Sequence, residues 1–162
     1  MNRKVLDNIT IENAHILFRN FSGRESKYNR AGQRNFCVYI DDADMVQRLF
    51  DDGWNIRVRE PRDEGEEPRH YLQVAVSFDN IAPTIYMLTK RRKVKLDEEA
   101  IDALDIAEIR NVDLTIRPYN WVIQEGTKNE KSGVKAYLRT MYVVIDEDEF
   151  AEKYADCEYP QE

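Results

Sequence analysis

Long apolar segments are missing from this sequence of 162 residues. No run of apolar residues approaches the ~20 that a membrane-spanning helix needs. The first segment, MNRKVLDNITIEN, lacks the apolar centre of a secretory signal peptide. Cysteine is also scarce, because only Cys37, in an apolar strand pattern, and Cys157, near the C-terminus, occur. Two such residues do not make a disulfide framework, so we expect a cytoplasmic protein with reduced thiols and no membrane partner.

Sequence signatures of the common enzyme classes are absent as well. The chain has no CxxC, no GxSxG, no GxxxxGK[ST] and no GxGxxG segment. Its two histidines, His15 and His70, lie in strand patterns, where a structural role is more common than a catalytic one. These observations predict a binding protein without catalytic residues, metal site or cofactor. A metal-dependent nuclease stays open as an alternative, because its carboxylates need no fixed spacing in the sequence.

The acidic residues are concentrated at the C-terminal end of the chain. Residues 146–162 contain eight acidic residues and one basic residue, which accounts for the whole net charge of −7. Residues 1–145 are therefore neutral overall, so local cationic clusters matter more than the net charge. We predict a folded domain over residues 1–145 and an acidic tail over residues 146–162.

Short segments of alternating apolar and polar residues dominate the chain, as is typical of a β protein. Residues 8–20 predict one long strand, with Ile16 and Phe18 on its buried face. The alternation changes phase near residues 12–13, which indicates a bulge. The last two strands are predicted at 112–123 and 134–145, joined by a turn-rich segment.

Two short helices interrupt these strands. Asp41 and Asp42 offer an N-cap for a helix that ends at Gly53, and the acids at 97–99 predict the start of a second helix. The pattern predicts a mostly β fold with two short helices, arranged as a closed or partly closed antiparallel barrel. An open α+β sheet is the alternative.

A cationic loop separates the first two predicted strands, within residues 15–39. Cations interleaved with rings suit a single strand of nucleic acid, because Arg and Lys neutralise phosphates while rings stack on any base. The loop therefore predicts nucleic-acid contacts through the cations Arg19, Arg24, Lys27, Arg30 and Arg34 and the rings Phe21 and Tyr28. The structural alternative is a solvated hairpin loop whose rings pack onto the core.

A second cationic cluster lies between two short apolar strand segments. We predict a hairpin tip there that also contacts phosphates, through Lys90, Arg91, Arg92 and Lys93. The alternative is a solvated turn.

The C-terminal hairpin predicts an aromatic surface. Val112, Leu114 and Ile116 alternate toward the core, so the residues between them point outward. Continued alternation brings one set of cations and rings to the outer face: Arg117, Tyr119, Trp121, Tyr137 and Arg139. Exposed rings cost hydrophobic free energy unless they cover something, so this face indicates a ligand. The alternative is that Trp121 and Tyr137 cover a small second core.

Together these segments resemble phage-encoded single-stranded-DNA-binding proteins with an OB fold. The resemblance rests on the loop HILFRNFSGRESKYNRAGQRNFCV, the helix DDADMVQRLFDDGW, the late strands VDLTIRPYNWVI and VKAYLRTMYVVI, and the acidic C-terminus. It implies an OB-like barrel that binds unpaired DNA during replication or recombination, without a cofactor, in the cytosol of a bacterial host. It also implies that the tail contacts replication or recombination proteins. The final YPQE departs from tails that finish with a hydrophobic residue.

The resulting hypothesis is an OB-like domain that binds single-stranded DNA without strong sequence preference. Cations of the two loops follow phosphates and exposed rings stack on bases, while Arg117 and Arg139 can do either. A protein-interaction module that inhibits or recruits a host factor is the first alternative, and the metal-dependent nuclease is the second. The sequence leaves open whether the chain forms a homo-oligomer and whether it prefers DNA or RNA.

Overall fold

The structure is a computed structural model that describes residues 5–79 and 81–146. The described residues form nine β-strands, one α-helix and one 3₁₀ turn. The helix α1 covers Ala43–Asp51, and the 3₁₀ turn covers Ile101–Asp105. The strands are β1 (Ile9–Ile11), β2 (Ile16–Asn20), β3 (Arg34–Ile40), β4 (Ile56–Arg59), β5 (Arg69–Val76), β6 (Thr84–Leu88), β7 (Lys93–Leu96), β8 (Ile109–Ile123) and β9 (Lys131–Ile145).

All nine strands of the described chain belong to one sheet, in the order β1-β8-β9-β5-β3-β2. β4 pairs with β5, β6 pairs with β9, and β7 pairs with β6. The mostly β fold is confirmed, but the sheet is mixed and is not closed into an antiparallel barrel. The sheet is mixed because β5 and β6, which lie one after the other along the same edge of β9, both run parallel to β9.

The first predicted strand changes partner part of the way along. β1 pairs with β8, whereas β2 pairs with β3. Asn13 lies between them with φ of 54°, and its backbone N–H donates to Asp113 Oδ1 at 2.8 Å. The predicted irregularity is therefore present, as a break between two strands rather than a bulge within one.

A bulge does occur further along, in β2. The register shifts between Leu17 and Asn20, and Phe18 adopts φ of 50°. Ile16 lies opposite Val38 on the core side, so simple alternation would bury Phe18 as well. The bulge turns Phe18 outward and leaves 58% of it exposed, so its predicted burial is wrong.

The first predicted helix is confirmed by α1. Asp42 is its N-cap, and its carboxylate accepts hydrogen bonds from the backbone N–H groups of Asp44 and Met45. Gly53 follows the helix with φ of 95°, a conformation that favours glycine at a helix C-terminus. Leu49 anchors the helix in the core.

The second predicted helix is only the 3₁₀ turn. Ile101 and Leu104 are both fully buried, and their spacing of three residues places them on the same side of such a turn. The turn lies in the connection between β7, which ends at Leu96, and β8, which begins at Ile109.

The core lies on one face of the long strands. Alternate residues point into it, as a half-buried sheet requires. Residues exposed by 5% or less include Phe36, Val38 and Ile40 on β3, Leu72, Val74 and Val76 on β5, Ile116 on β8, and Leu138 and Met141 on β9. The opposite face of these strands is left for other contacts.

Candidate nucleic-acid interface

Four strands present a continuous outer face opposite the core. Asn35 on β3 lies opposite Ala75 on β5, which lies opposite Tyr137 on β9, which in turn lies opposite Arg117 on β8. Residues in register on neighbouring strands point to the same side of a sheet. One row of side chains therefore crosses the sheet from the basic loop to the C-terminal hairpin.

An open cleft of about 1050 Å³ lies over this face. The basic loop lines one side of it with Tyr28, Gln33 and Arg34, and the hairpin lines it with Trp121 and Tyr137. Its floor includes Gln73 and Ala75 of β5 and Ser77, which directly follows that strand. The structure thus brings together two segments that lie about a hundred residues apart in the chain.

The C-terminal hairpin carries a cluster of rings and cations, of which Tyr137 and Lys135 line the cleft while Tyr119 and Arg117 lie beside it. The Tyr119 and Tyr137 rings meet edge to face, with centroids 6.0 Å apart. The Arg117 guanidinium lies 4.6 Å and the Lys135 ammonium 5.0 Å from the centre of the Tyr137 ring. Tyr119 is half exposed, so the cluster faces solvent rather than a second core.

Trp121 lies directly over Gly133, its partner in the β8–β9 register. A Cβ atom built on Gly133 would come within 2.7 Å of Cζ2 of the Trp121 ring. Only glycine therefore allows the indole to lie this close to the strand. Trp121 is 36% exposed and lines the open cleft together with Tyr137, which disagrees with the alternative that the two rings cover a small second core.

The basic loop is held in shape by its own hydrogen bonds. The Asn29 side-chain amide donates to the carbonyl oxygens of Arg24, Arg30 and Gln33 at 2.8–3.0 Å. Tyr28 is left 89% exposed at the edge of the cleft, with the Lys27 ammonium 5.6 Å from its ring centre. This order lowers the entropic cost of presenting Tyr28 to a ligand.

Phe21 is in the core and not in the interface. It is fully buried, and its ring stacks on that of Phe36 at 5.2 Å. A buried ring offers no face to a base, so its predicted role in stacking is wrong. Phe21 is buried because of its position after the β2 bulge, which the composition of the basic loop does not show.

Arg19 and Arg24, two of the predicted phosphate contacts, both contact the segment that contains the 3₁₀ turn. Arg19 Nη1 donates to the carbonyl oxygens of Leu104 and Ala107 at 2.9 and 2.8 Å. These bonds give hydrogen-bond partners to carbonyl groups at the end of the 3₁₀ turn. Arg24 lies 4.0 Å from Asp105, whose carboxylate also accepts from the backbone N–H of Phe21 at 2.6 Å. Arg19 is thereby occupied within the fold, whereas Arg24 remains largely exposed.

Arg34 lines the cleft together with Glu98. Its Nη1 donates to Glu98 Oε1 at 3.1 Å, and its Nε is buried without a hydrogen-bond partner. The Nε of Arg117 is likewise buried without a partner. A buried donor without a partner is costly, so holding each of these guanidinium groups in place lowers the stability of the free protein.

The hairpin tip of Lys90, Arg91, Arg92 and Lys93 lies outside the cleft lining. It joins β6 to β7, and all four side chains are exposed. Lys93 lies 4.4 Å from the Tyr86 ring centre, and Tyr86 stacks on Tyr142 at 5.3 Å. The tip therefore forms a separate cationic and aromatic patch.

Arg139 and Arg30 are exposed. Arg139 lies at a register shift, because Thr115 lies opposite Thr140 while Ile116 lies opposite Leu138. The shift changes which β9 residues point inward from there to the end of the strand.

Among the cleft-lining residues that sequence reasoning missed are Lys135, Gln73 and Phe50. Lys135 shares the outward parity of Tyr137, and Gln73 is the exposed residue between buried Leu72 and Val74, so the strand pattern held a signal for both. Phe50 is spaced like the apolar residues of α1 but is 65% exposed. Only the placement of α1 beside the sheet shows that Phe50 lines the cleft.

Cys37 lies on the outer side of β3, opposite Gln73. Burial raises the pKa of its thiol to about 11, an effect that the Arg57 guanidinium partly offsets. The thiol therefore stays protonated near neutral pH and is a poor nucleophile.

Within residues 5–79 and 81–146, no three His, Cys, Asp or Glu side chains are grouped as metal ligands would be. No helix of the described chain is long and apolar enough to cross a membrane.

The fold is similar to solved structures of phage proteins. The single-stranded DNA-binding protein of bacteriophage Enc34, in complex with ssDNA, matches with a TM-score of 0.55 and 12% identity over 87% of this chain and 88% of that one. Another structure of the Enc34 protein gives 0.52 and 12% over 92% and 88%. The single-stranded DNA-binding protein gp2.5 of bacteriophage T7 gives 0.42 and 13% over 96% and 99%.

Sequence comparison gives the family. No curated protein matches the sequence. The family model described as "Putative phage ssDNA-binding domain" matches residues 1–162, which is the whole chain. The chain therefore belongs to the family of phage ssDNA-binding domains.

Proposed function

We propose that the chain binds single-stranded DNA in the cleft, without strong sequence preference, during phage DNA replication or recombination in the host cytoplasm. Its family supports the ligand. The observation that carries the site is that rings and cations of the basic loop and the C-terminal hairpin meet over one sheet face. The likeness of fold to an Enc34 protein in complex with ssDNA supports the same conclusion.

In the proposed complex, Trp121, Tyr119 and Tyr137 stack on successive bases. Each stacked base contributes about 1–3 kcal/mol, and because every base has a ring face, such contacts do not select a sequence. Arg34 in the cleft and Arg117 beside its hairpin side neutralise phosphates, which makes binding salt-dependent. Arg34 lines the cleft, and the Arg117 guanidinium lies 4.6 Å from the centre of the Tyr137 ring, which also lines it.

The exposed cations outside the cleft extend the proposed site. Arg24, Lys27 and Arg30 lie on the basic loop, and the tip of Lys90, Arg91, Arg92 and Lys93 forms a separate patch with Tyr86 and Tyr142. Arg139 is a further exposed candidate. They would contact phosphates of strands that continue past the cleft.

The proposed mechanism is binding by mass action. A protein that binds only the unpaired strand shifts the duplex equilibrium toward open DNA by an amount set by its concentration relative to Kd. Protection of the strand follows from the same contacts. This function requires no bond to be made or broken, and hence no catalytic residue or cofactor.

We also propose that residues 1–145 form the DNA-binding domain and that residues 146–162 form an acidic tail for replication or recombination proteins with basic surfaces. The eight acidic residues of this segment support such a role. Asp146, which directly follows β9, is still tied to the domain by an ion pair with Arg110 at 2.6 Å. Residues 147–162 lie outside the described residues.

Fluorescence anisotropy of labelled oligo-dT tests the proposed function. We expect binding at micromolar concentrations or tighter, with steep weakening as salt is raised. Trp121→Ala should weaken binding about 5- to 150-fold, as loss of one stacked base predicts. Ile106→Ala removes an apolar side chain that is 88% exposed outside the cleft, and it should leave affinity unchanged.

Each alternative gives a distinct result in this assay. No binding at ~50 mM salt would contradict the proposal and favour a protein-interaction module. Shortening of the oligonucleotide on addition of Mg²⁺ or Mn²⁺, with protection by EDTA, would favour a metal-dependent nuclease.

A further inference from the structure

We propose a second base-stacking subsite, formed by Phe18 and Tyr71, that takes the DNA strand beyond the cleft. The inference rests on the proposed function, because it follows the same ligand further along the same sheet face. None of the residues of this subsite belongs to the cleft lining.

The outer face of β5 connects the two subsites. Ala75 and Gln73 line the floor of the cleft, and Tyr71 is the next β5 residue on that face. Tyr71 lies opposite Tyr39 on β3 and opposite Arg57 on β4. The outer face of β5 therefore continues beyond the cleft to two rings, Tyr71 and Tyr39, and one cation, Arg57.

The β2 bulge places Phe18 over this row. Its ring meets that of Tyr71 at 6.1 Å with an interplanar angle of 73°, yet 58% of Phe18 stays exposed. Phe18 also adopts φ of 50°, a strained conformation for an aromatic residue. Strained backbone and an exposed ring are both unfavourable for the free protein, and both are expected where a ring is held ready for a ligand.

Two arginines supply the charge that a strand of DNA needs there. The Arg59 guanidinium lies 5.5 Å from the Phe18 ring centre, and its Nη1 donates to the Tyr39 hydroxyl. Arg57 is exposed beside Tyr71. The ring pair and both cations thus repeat the chemistry of the hairpin side of the cleft.

The charges of neighbouring residues determine where the contacts of the DNA strand along this face end. Residues 60–67, which follow Arg59, contain five acidic residues and one arginine. Arg69 is already neutralised by Asp41, at 2.9 Å. Phosphates are repelled beyond this point, so the strand is expected to end its contacts at Phe18.

The length of the path follows from the strand geometry. Ala75 and Tyr71 are four residues apart on β5, which corresponds to about 13 Å. At ~3.4 Å per stacked nucleotide this distance accommodates about four nucleotides, and fewer if the strand is stretched.

A length series of oligo-dT from dT4 to dT16, titrated against the full chain, tests the proposal. Wild-type affinity should rise until the strand covers both subsites. Phe18→Ala should leave binding of the shortest strands that fill the cleft unchanged and weaken binding of the longest about 5- to 150-fold. Phe18→Trp retains a ring and should restore the long-strand affinity, whereas Phe18→Leu retains only apolar bulk and should not.

Thermal unfolding of each variant excludes a loss of fold as the cause. Equal affinities of wild type and Phe18→Ala at every length would overturn the subsite and leave the proposed function intact. Equal losses at every length would also overturn it, because Phe18 would then support the cleft itself. Failure of the wild type to bind any length would instead contradict the proposed function.

Discussion

Gly133→Ala should weaken binding of single-stranded DNA although it removes no DNA contact. Gly133 lies directly beneath Trp121, and its φ is not positive, so alanine is compatible with the backbone. The added methyl group would act only on the position of the indole.

The size of the effect follows from the contact distances. The new Cβ would lie 2.7 Å from Cζ2 and 3.0 Å from Nε1 of Trp121, whereas ordinary contact begins at 3.4 Å. The ring must therefore move outward by at least about 0.7 Å. Because its other side faces the cleft, the stability cost should stay below about 1 kcal/mol. Loss of about half of one stacking interaction, about 0.5–1.5 kcal/mol, predicts a Kd weaker by about 2- to 13-fold.

A double-mutant cycle measured by anisotropy with oligo-dT isolates this mechanism. Gly133→Ala should weaken binding in the wild-type background and have no further effect in Trp121→Ala, because the ring it displaces is already gone. An equal loss in both backgrounds, or no loss in either, would refute the proposed role of Trp121.

Three other predictions follow from individual side chains. Arg117→Ala should lower the slope of log Kd against log salt by about 0.7, and Arg48→Ala, an exposed arginine on α1 outside the cleft, should not; equal slopes would contradict a phosphate contact. Phe21→Ala should destabilise the fold by about 3–5 kcal/mol in urea unfolding, and a cost under about 1 kcal/mol would argue against its core position. In Cys157→Ser, Cys37 should react with iodoacetamide about 100-fold more slowly in the folded than in the denatured chain at pH 8, since its pKa lies at about 11 rather than 9.0 and thiolate forms only as the pH rises toward that value. Equal rates would contradict its burial.

The alternation of apolar residues was sufficient to predict most strands and the outward parity of the hairpin. Arg117, Tyr119, Trp121 and Tyr137 share one face because their spacing of two residues survives folding unchanged. The N-cap at Asp42 could also be predicted, since a cap depends only on the residues next to it.

Bulges and long-range partners could not be predicted in this way. A single inserted residue reverses the face of everything after it, and the bulge at Phe18 therefore turned a predicted core ring outward. The hydrogen bonds of Arg19 could not be predicted either, because its partners Leu104 and Ala107 lie more than eighty residues away in the chain. The mixed sheet also escaped prediction, since alternation does not show the direction of a neighbouring strand.

The central claim is that the basic loop and the C-terminal hairpin hold one strand of DNA between them. An NMR titration of the ¹⁵N-labelled chain with oligo-dT tests it most directly, because each backbone amide reports separately. We predict the largest shift changes at residues 28–35 and 117–137, with little change along β1. Changes confined to surfaces other than these two segments would contradict the claim.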